Sequence, residues 1–489
     1  MGTRQRILAL LAAVAAACVA AACVAVASPH AALRVGVAED AAKGYADGGD
    51  AFLSQLTGSG LSVLRLTVYW DPTQPTTIQE KASLDRALPV AAARSVTVIL
   101  SIVPQRATSI SSTPNGPDLY AAYCVQVART YPWVKYLLVG NEPNQPRFWR
   151  PQFDASGARV AAANYLQVLS RAYDALKAAD PAINVLGLGL SPRGNNRARA
   201  VSNGSTAPVT FIRDLGVAYR ASARARPIMD YAAFHPYPNP GAAADAPDKG
   251  LQWPNAGVPN LDRLQQAFWD AFHGTGQPLF GEGAAGDGVR WIFDESGWQT
   301  ETRHAVGYFG DENTQTVSEE VQGLFYADVI GRYACDARVA MLLFFHWADE
   351  ADRDRMQTGL LRADGSAKAG APYVRNAIVG GCRGAATSWT HATTVAGARV
   401  SWKKARWFSL QAEEEFTYRA SLVRLGGSRK AGRSVARTIT GTTKAYWKVW
   451  PRLRGFKLRP GRYAFAVTLR SAMNPERETS FTGGRFTQR

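Results

Sequence analysis

The sequence predicts an eight-stranded parallel (β/α)8 barrel followed by a small all-β sandwich of the immunoglobulin-like sort, and three observations predict it. Between positions 33 and 380, eight short β-rich apolar runs alternate with helical patterns. After Arg383 the helical patterns stop, and short β-rich runs separated by Gly-Gly and Pro-Gly turns take over. The charge divides at the same place. Of 56 Lys and Arg and 39 Asp and Glu, residues 383–489 hold 22 and 5, so the preceding 382 residues hold 34 of each and the net +17 lies wholly in the C-terminal part. At 489 residues and 46% apolar content the chain is long enough for two cores. We therefore expect an N-terminal segment over 1–27, a barrel domain over 28–382 and a basic sandwich over 383–489.

Residues 1–27 read as an export segment. Arg4 and Arg6 precede an uncharged run from Ile7 to Ala27, and Ala25-Val26-Ala27 offers small residues for cleavage before Ser28. A run of that length also spans a bilayer uncleaved, so a signal peptide and an N-terminal membrane anchor both stay open. Cys18 and Cys23, each behind an alanine, leave a lipid anchor open as well. In each case the rest of the chain is expected to be secreted or at the cell surface, touching membrane only through residues 7–27.

The expected barrel strands are LRVGVAE (33–39), VLRLTVYW (63–70), VTVILSIV (96–103), VKYLLVGN (134–141), INVLGLGL (183–190), MDYAAFH (229–235), VRWIFDE (289–295) and VAMLLFFHW (339–347). Between them, stretches such as 158–179 and 260–272 repeat apolar residues every three or four positions, as amphipathic helices do. An open doubly wound sheet would place a Gly-rich phosphate loop after the first strand, and VGVAEDAAKG supplies none. In the sandwich, strands are expected in VAGARVSWKK, FTYRASLVRL, GRSVARTITG, KAYWKVWPRL and GRYAFAVTLR. Three cysteines follow the export segment. An oxidising compartment permits one disulfide, for which we favour Cys335–Cys382, and Cys124 sits in an apolar helical pattern that reads as core.

A barrel of this kind carries its site at the C-terminal ends of its strands. Glu142 ends the fourth run in VGNEPNQ, where an Asn-Glu pair at the edge of a core is costly unless it is used. Glu295 ends the seventh in VRWIFDESGWQT. Two carboxylates facing across a barrel mouth can cleave a glycosidic bond, one protonating the leaving oxygen and the other attacking the anomeric carbon.

These motifs resemble those of clan A glycoside hydrolases, closest to families five and thirty-nine. Gly140-Asn141-Glu142-Pro143 resembles the clan's acid/base strand, and Phe293-Asp294-Glu295-Ser296-Gly297-Trp298 its nucleophile strand. The resemblance implies further roles in the same order along the chain. Arg65 would support the nucleophile, and Asn141 would hold the sugar 2-hydroxyl. His235 and Tyr237, in His235-Pro236-Tyr237, would stand beside the nucleophile, and Trp347 would floor the sugar subsite. The stretch 359–373 resembles the family's closing segment. One departure is strand three, which ends in Ile102-Val103-Pro104 where family-five enzymes often carry a histidine. Glu282, in PLFGEGAAG, is the competing nucleophile, and Trp70, Trp149 and Trp298 are as well suited to packing loops as to facing sugar.

With the export segment, the resemblance implies an exported retaining glycoside hydrolase that cleaves β-linked O-glycosides of an oligo- or polysaccharide without a cofactor. The six histidines, with no HExxH and no clustered Cys and His, argue against a metal site. The rival is a catalytically lapsed carbohydrate-binding or cell-surface protein on the same scaffold. For the basic module a solvated face is the simplest reading, and attachment to an anionic cell-surface polymer is the functional one. No nucleic-acid recognition motif accompanies the charge, so nucleic acid is not an expected partner.

Overall fold

The computed structural model describes residues 32–489 except 202, 240–245, 303–304, 313, 405–406, 427–434 and 453–457. The expected export segment, 1–27, lies outside the described residues. Residues 33–489 form one compact unit.

Each expected barrel run carries one strand. In chain order the elements are β1 Arg34–Ala38, α1 Asp50–Gly58, β2 Val63–Trp70, α2 Lys81–Ala93, β3 Thr97–Pro104, α3 Gly116–Thr130, β4 Tyr136–Val139 and α4 Ala161–Ala179. The second half follows with β5 Asn184–Leu190, α5 Pro208–Ala221, β6 Tyr231–Phe234, α6 Leu261–Phe272, β7 Arg290–Phe293, α7 Glu319–Ala334, β8 Val339–Phe345 and α8 Ala371–Gly380. The eight strands close in sequence order into a parallel barrel. Closure is made by β1, where Gly36 pairs with both Val63 of β2 and Leu343 of β8. A Cβ at Gly36 would stand 2.1 Å from the Val63 carbonyl oxygen, so this seam requires glycine.

Alternation along the strands sorts side chains into layers inside the barrel. Arg34, Thr97 and Tyr136 join by hydrogen bonds at the N-terminal end. Above them Val63, Ile99, Leu138, Leu186, Ala233, Ile292, Met341 and Leu343 form a dry middle layer. The next inward positions, two residues on, include Arg65, Ser101, His235 and Asp294, all buried. A polar layer therefore sits on an apolar floor at the C-terminal mouth. Outside the barrel the helices lay apolar stripes on the strands. In α4 these are Tyr165, Leu166, Val168, Leu169, Ala172 and Leu176, the three- and four-residue spacing of one helix face.

The sandwich pairs β9 Arg399–Lys404 with β10 Trp407–Gln411, and stacks them on a four-stranded antiparallel sheet ordered β12-β11-β13-β14. That sheet comprises β11 Phe416–Leu425, β12 Val435–Thr443, β13 Gly461–Ser471 and β14 Glu478–Gln488. Phe408 and Leu410 from the smaller sheet meet Leu422, Phe465 and Val467 from the larger one in a shared core. The structure corrects one expectation. Of KAYWKVWPRL, the described residues 444–452 form no strand; the bridges Leu410–Val449 and Trp407–Arg452 join them to β10. Tyr446 adopts a left-handed backbone (φ 58°), and Pro451 lacks a donor, so a continuous ladder cannot form there. The reading passed over β10, which is short, and β14, whose sequence ETSFTGGRFTQ is largely polar.

The disulfide joins Cys335 at the end of α7 to Cys382 just after α8. Cys124 is buried in α3, where burial pushes its thiol well up.

Candidate active site

The polar layer opens into a cleft of about 1410 Å3 at the C-terminal mouth of the barrel. Glu142 and Glu295 both line it. On β4 the inward position after Leu138 is Gly140 and the next is Glu142. Both take left-handed backbone, at φ 80° and 38°, which for a glutamate is strained. The turn is held from behind. The Tyr120 hydroxyl of α3 donates to the Ile102 carbonyl and accepts from the Gly140 amide at 3.1 Å. The Tyr165 hydroxyl of α4 donates to the Val139 carbonyl and accepts from the Leu188 amide, both at 2.9 Å. The Glu142 amide itself donates to the Gly189 carbonyl at 2.9 Å.

Arg65 organises the opposite side. It is buried and donates through Nη1 to Glu295 Oε1, and through Nη2 to Asn141 Oδ1 at 2.7 Å and Ser101 Oγ at 3.1 Å. Its Nε stands 3.3 Å from Asp294 Oδ2, within ion-pair range but not aligned for a hydrogen bond. Burial opposes the Arg65 charge, and Glu295 and Asp294 outweigh it and hold the guanidinium strongly protonated. Tyr237 Oη donates to Glu295 Oε2 at 2.9 Å, so the Glu295 carboxylate receives one donor on each oxygen.

His235 is fully buried between three carboxylates. Its Nδ1 lies 3.0 Å from Glu142 Oε1 and 3.6 Å from Glu295 Oε2, and its Nε2 lies 3.3 Å from Asp294 Oδ2. Burial alone would lower its pKa; Glu295 and Asp294 more than reverse that and push it up to about 10. In its protonated form the imidazole can donate from both nitrogens, to Glu142 and to Asp294. Asp294 is held below the usual carboxylate range, since His235 and Arg65 outweigh its burial. The two catalytic candidates thus face one ring nitrogen. Their nearest oxygens are no farther apart than 3.0 and 3.6 Å laid end to end. That bound on the nearest oxygens accommodates the roughly 5–5.5 Å between the carboxyl groups of a retaining pair.

Of the residues singled out from sequence, Glu142, Glu295, Asn141, Arg65, His235 and Tyr237 come together here. Trp347 does not join them. Inward positions on β8 run Met341, Leu343, Phe345, and simple alternation would bring Trp347 inward next. His346 instead takes φ 71°, which breaks the alternation. Phe345 and His346 line the cleft, and the Trp347 ring packs edge-on against Phe52 of α1. Glu282 sits at the other end of the barrel, hydrogen-bonded to His391, and does not line the cleft. Among the remaining tryptophans, Trp70 packs on Tyr120 and Trp149 on Tyr165, while Trp298 does reach the cleft.

Three site residues escaped the sequence reading. Asp294 precedes Glu295 in the nucleophile motif, which by itself assigns it no role. Glu39, at the end of β1, and His346 form a second acid–base cluster on the cleft wall. His346 Nδ1 lies 3.5 Å from Glu39 and its Nε2 3.5 Å from Glu350. Burial lowers the His346 pKa, and hydrogen bonds to Glu350 and Glu39 overcome it and bring it to about 9. Glu39 also accepts from the amides of Ala41 and Trp347, at 2.9 and 3.1 Å. The available signal was positional: each residue directly follows a strand.

Among the described residues, no group of three or more His, Cys, Asp or Glu side chains is arranged to hold a metal ion. No family model and no curated protein sequence matches the chain. Solved structures with a similar overall trace include a family 39 glycoside hydrolase from the gut symbiont Bacteroides cellulosilyticus WH2, at 14% identity over 86% of this chain and 81% of that one (TM-score 0.49). A monomeric β-xylosidase from Caulobacter crescentus CB15 is similar at 13% identity over 86% of this chain and 94% of its own (TM-score 0.46). A glucosidase from Croceicoccus marinus is similar at 12% identity over 87% and 93% (TM-score 0.46). With likenesses at this level, the chemistry of the site rests on its own geometry.

Proposed function

We propose that the chain is a retaining glycoside hydrolase of the clan A type its strand-end motifs resemble, acting on β-linked O-glycosides of an oligo- or polysaccharide. The observation that carries this reading is the pair Glu142 and Glu295, at 3.0 and 3.6 Å from one nitrogen of His235 on the floor of a large open cleft.

In the first step Glu295 attacks the anomeric carbon. Arg65 and Tyr237 fix its two oxygens, so the carboxylate is oriented before substrate arrives. Glu142 delivers its proton to the glycosidic oxygen, and the alcohol leaves while a glycosyl ester forms on Glu295. Glu142 Oε1 is engaged by His235, and Glu142 Oε2 has no hydrogen-bond partner among the described residues, which leaves Oε2 as the oxygen for substrate. In the second step Glu142 removes a proton from water, which attacks the anomeric carbon and releases Glu295. Two inversions give net retention. Asn141 accepts from Arg65 through Oδ1, which turns its amide donor toward the cleft, where it suits a sugar 2-hydroxyl. The complete carboxylate pair counts against the lapsed binding protein.

Export follows from residues 1–27 and is supported by the Cys335–Cys382 disulfide, which suits an oxidising compartment. Attachment of the basic module to an anionic polymer belongs to the same proposal. The test is proton NMR of the first product released from a panel of aryl β-glycosides and oligosaccharides. A β-configured hemiacetal that later mutarotates is the expected result. An α-configured first product, or no turnover across the panel, would remove the proposal.

A further inference from the structure

The segment that failed to become a strand presents an unusual surface. Tyr446, Trp447 and Trp450 are 42%, 65% and 42% exposed, three large rings outward within five residues. Exposed aromatic clusters of this kind mark binding surfaces more often than chance. Cations stand beside them. Lys444 Nζ lies 6.0 Å from the centre of the Trp447 ring, Lys448 Nζ lies 5.9 Å from that of Trp450, and the Arg452 guanidinium lies 4.3 Å from that of Trp407. No carboxylate of the described residues pairs with Lys444 or Lys448.

The strip is tied to the sandwich through its backbone. Val449 exchanges two hydrogen bonds with Leu410, at 2.9 and 3.0 Å, and the Tyr446 amide donates to the Ala412 carbonyl at 2.7 Å. The Tyr446 hydroxyl accepts from Arg263 of the barrel at 3.3 Å. Tyr446 keeps its left-handed φ of 58° while its ring is solvent-facing, so the strain is not repaid by burying the side chain.

We propose that residues 444–452 are a binding site for an anionic polysaccharide, one whose sugar rings carry carboxylate or phosphate groups. The indole faces take the C–H faces of sugars, and Lys444, Lys448 and Arg452 take the acid groups. The net +17 of residues 383–489 draws such a polymer in from a distance and makes its capture sensitive to salt. Stacking rings among cations would also suit single-stranded nucleic acid. The choice of polysaccharide rests on the proposed glycosidase activity of the same chain. A bilayer is the poorer fit, because Val449 is tied down by Leu410 and no aliphatic side chain of the strip is exposed.

The test is affinity electrophoresis of the full chain carrying Glu142→Gln, so that retention is read without turnover and fails independently of the glycosidase reading. The probes are polygalacturonate, its fully methyl-esterified form, oligo(dT) and phosphatidylglycerol vesicles. Polygalacturonate is expected to retard the protein at least tenfold more strongly than the ester does, with the effect falling as salt rises. Adding Trp447→Ala and Trp450→Ala should weaken retention at least tenfold, and Lys444→Gln with Lys448→Gln should reduce its salt dependence, with the melting temperature unchanged in each. Equal retention by the neutral ester, tighter binding to oligo(dT) or vesicles, or unaltered binding by the tryptophan variant would overturn the proposal.

Discussion

Arg65 touches Glu295, Asn141 and Ser101 through hydrogen bonds and Asp294 through charge, so single residues in this site do not act singly. Replacing it by methionine removes the one guanidinium between two buried carboxylates, leaving Asp294 to His235 and Glu295 to His235 and Tyr237. We expect Arg65→Met to cost about 3–5 kcal/mol of stability, the penalty of breaking a buried pair from one side. Urea denaturation measures this, and a loss below about 1 kcal/mol would show that the carboxylates are solvated in a way the buried geometry denies. The two raised histidines set a pH dependence. A histidine whose folded pKa exceeds its ordinary value of about 6.5 stabilises the fold fully below that value and loses the contribution as pH rises through the folded one. For His346 the loss runs up to about 9, and for His235 up to about 10. The melting temperature should therefore fall from pH 7 to pH 10, and His346→Gln should flatten the lower part of that fall. A profile unchanged by His346→Gln would show that its pairing with Glu39 and Glu350 contributes nothing.

At the scale of elements, the strand ends aim the chemistry and the helices behind them hold the aim. Tyr165 on α4 ties the last carbonyl of β4 to the bulge of β5, directly beneath Glu142. Tyr165→Phe removes both bonds and leaves a buried carbonyl and amide unpaired, which should cost about 1–3 kcal/mol. With the Glu142 turn loosened, kcat should fall while KM changes little; an unchanged kcat would deny Tyr165 a positioning role. This geometry also explains what was legible in the sequence. Where alternation holds along a strand or just past its end, the inward side chain is readable: Val63 leads to Arg65 within β2, and Ala233 leads to His235 after β6. Glu142 was legible for a different reason, since its Asn-Glu-Pro context is costly without a use. Trp347 was not legible, because one left-handed residue, His346, reverses the facing of everything after it, and nothing in FFHW announces that. Glu39 was hidden likewise, since its partner lies on the other side of the β1–β8 seam, over 300 residues away in sequence. KAYWKVWPRL alternates cations with aromatics as an edge strand would, and the pattern cannot distinguish a strand from a strip pinned at a few bridges.

Across the whole molecule the barrel and the sandwich share a buried ionic joint. Arg477, after β13, donates to Glu414 in the sandwich at 2.6 Å, and stands 3.5 Å from Asp270 on α6 of the barrel. Burial raises the pKa of both Asp270 and Glu414, against the pull of Arg477. Beside the joint, Trp269 of α6 is stacked between His273 and His391, with ring centres 4.1 and 4.2 Å away. The two parts should therefore unfold in one calorimetric transition, and Arg477→Ala should destabilise it by about 3–5 kcal/mol. Two well-separated transitions in the unaltered chain would contradict that coupling. The division of charge made the sandwich visible from sequence; the joint was not, because Arg477 is one of 22 basic residues in its segment. The stereochemistry of azide rescue on a cleaved aryl β-glycoside separates the roles of Glu142 and Glu295. In Glu142→Ala the glycosyl ester still forms with an activated leaving group, its hydrolysis slows about 10²–10⁴-fold, and azide, which needs no general base, restores turnover and yields the β-glycosyl azide. In Glu295→Ala no ester forms, and azide attacks directly to give the α product. The opposite stereochemistry in the two variants would exchange the roles of the glutamates, and no loss of turnover in either would deny both a catalytic role.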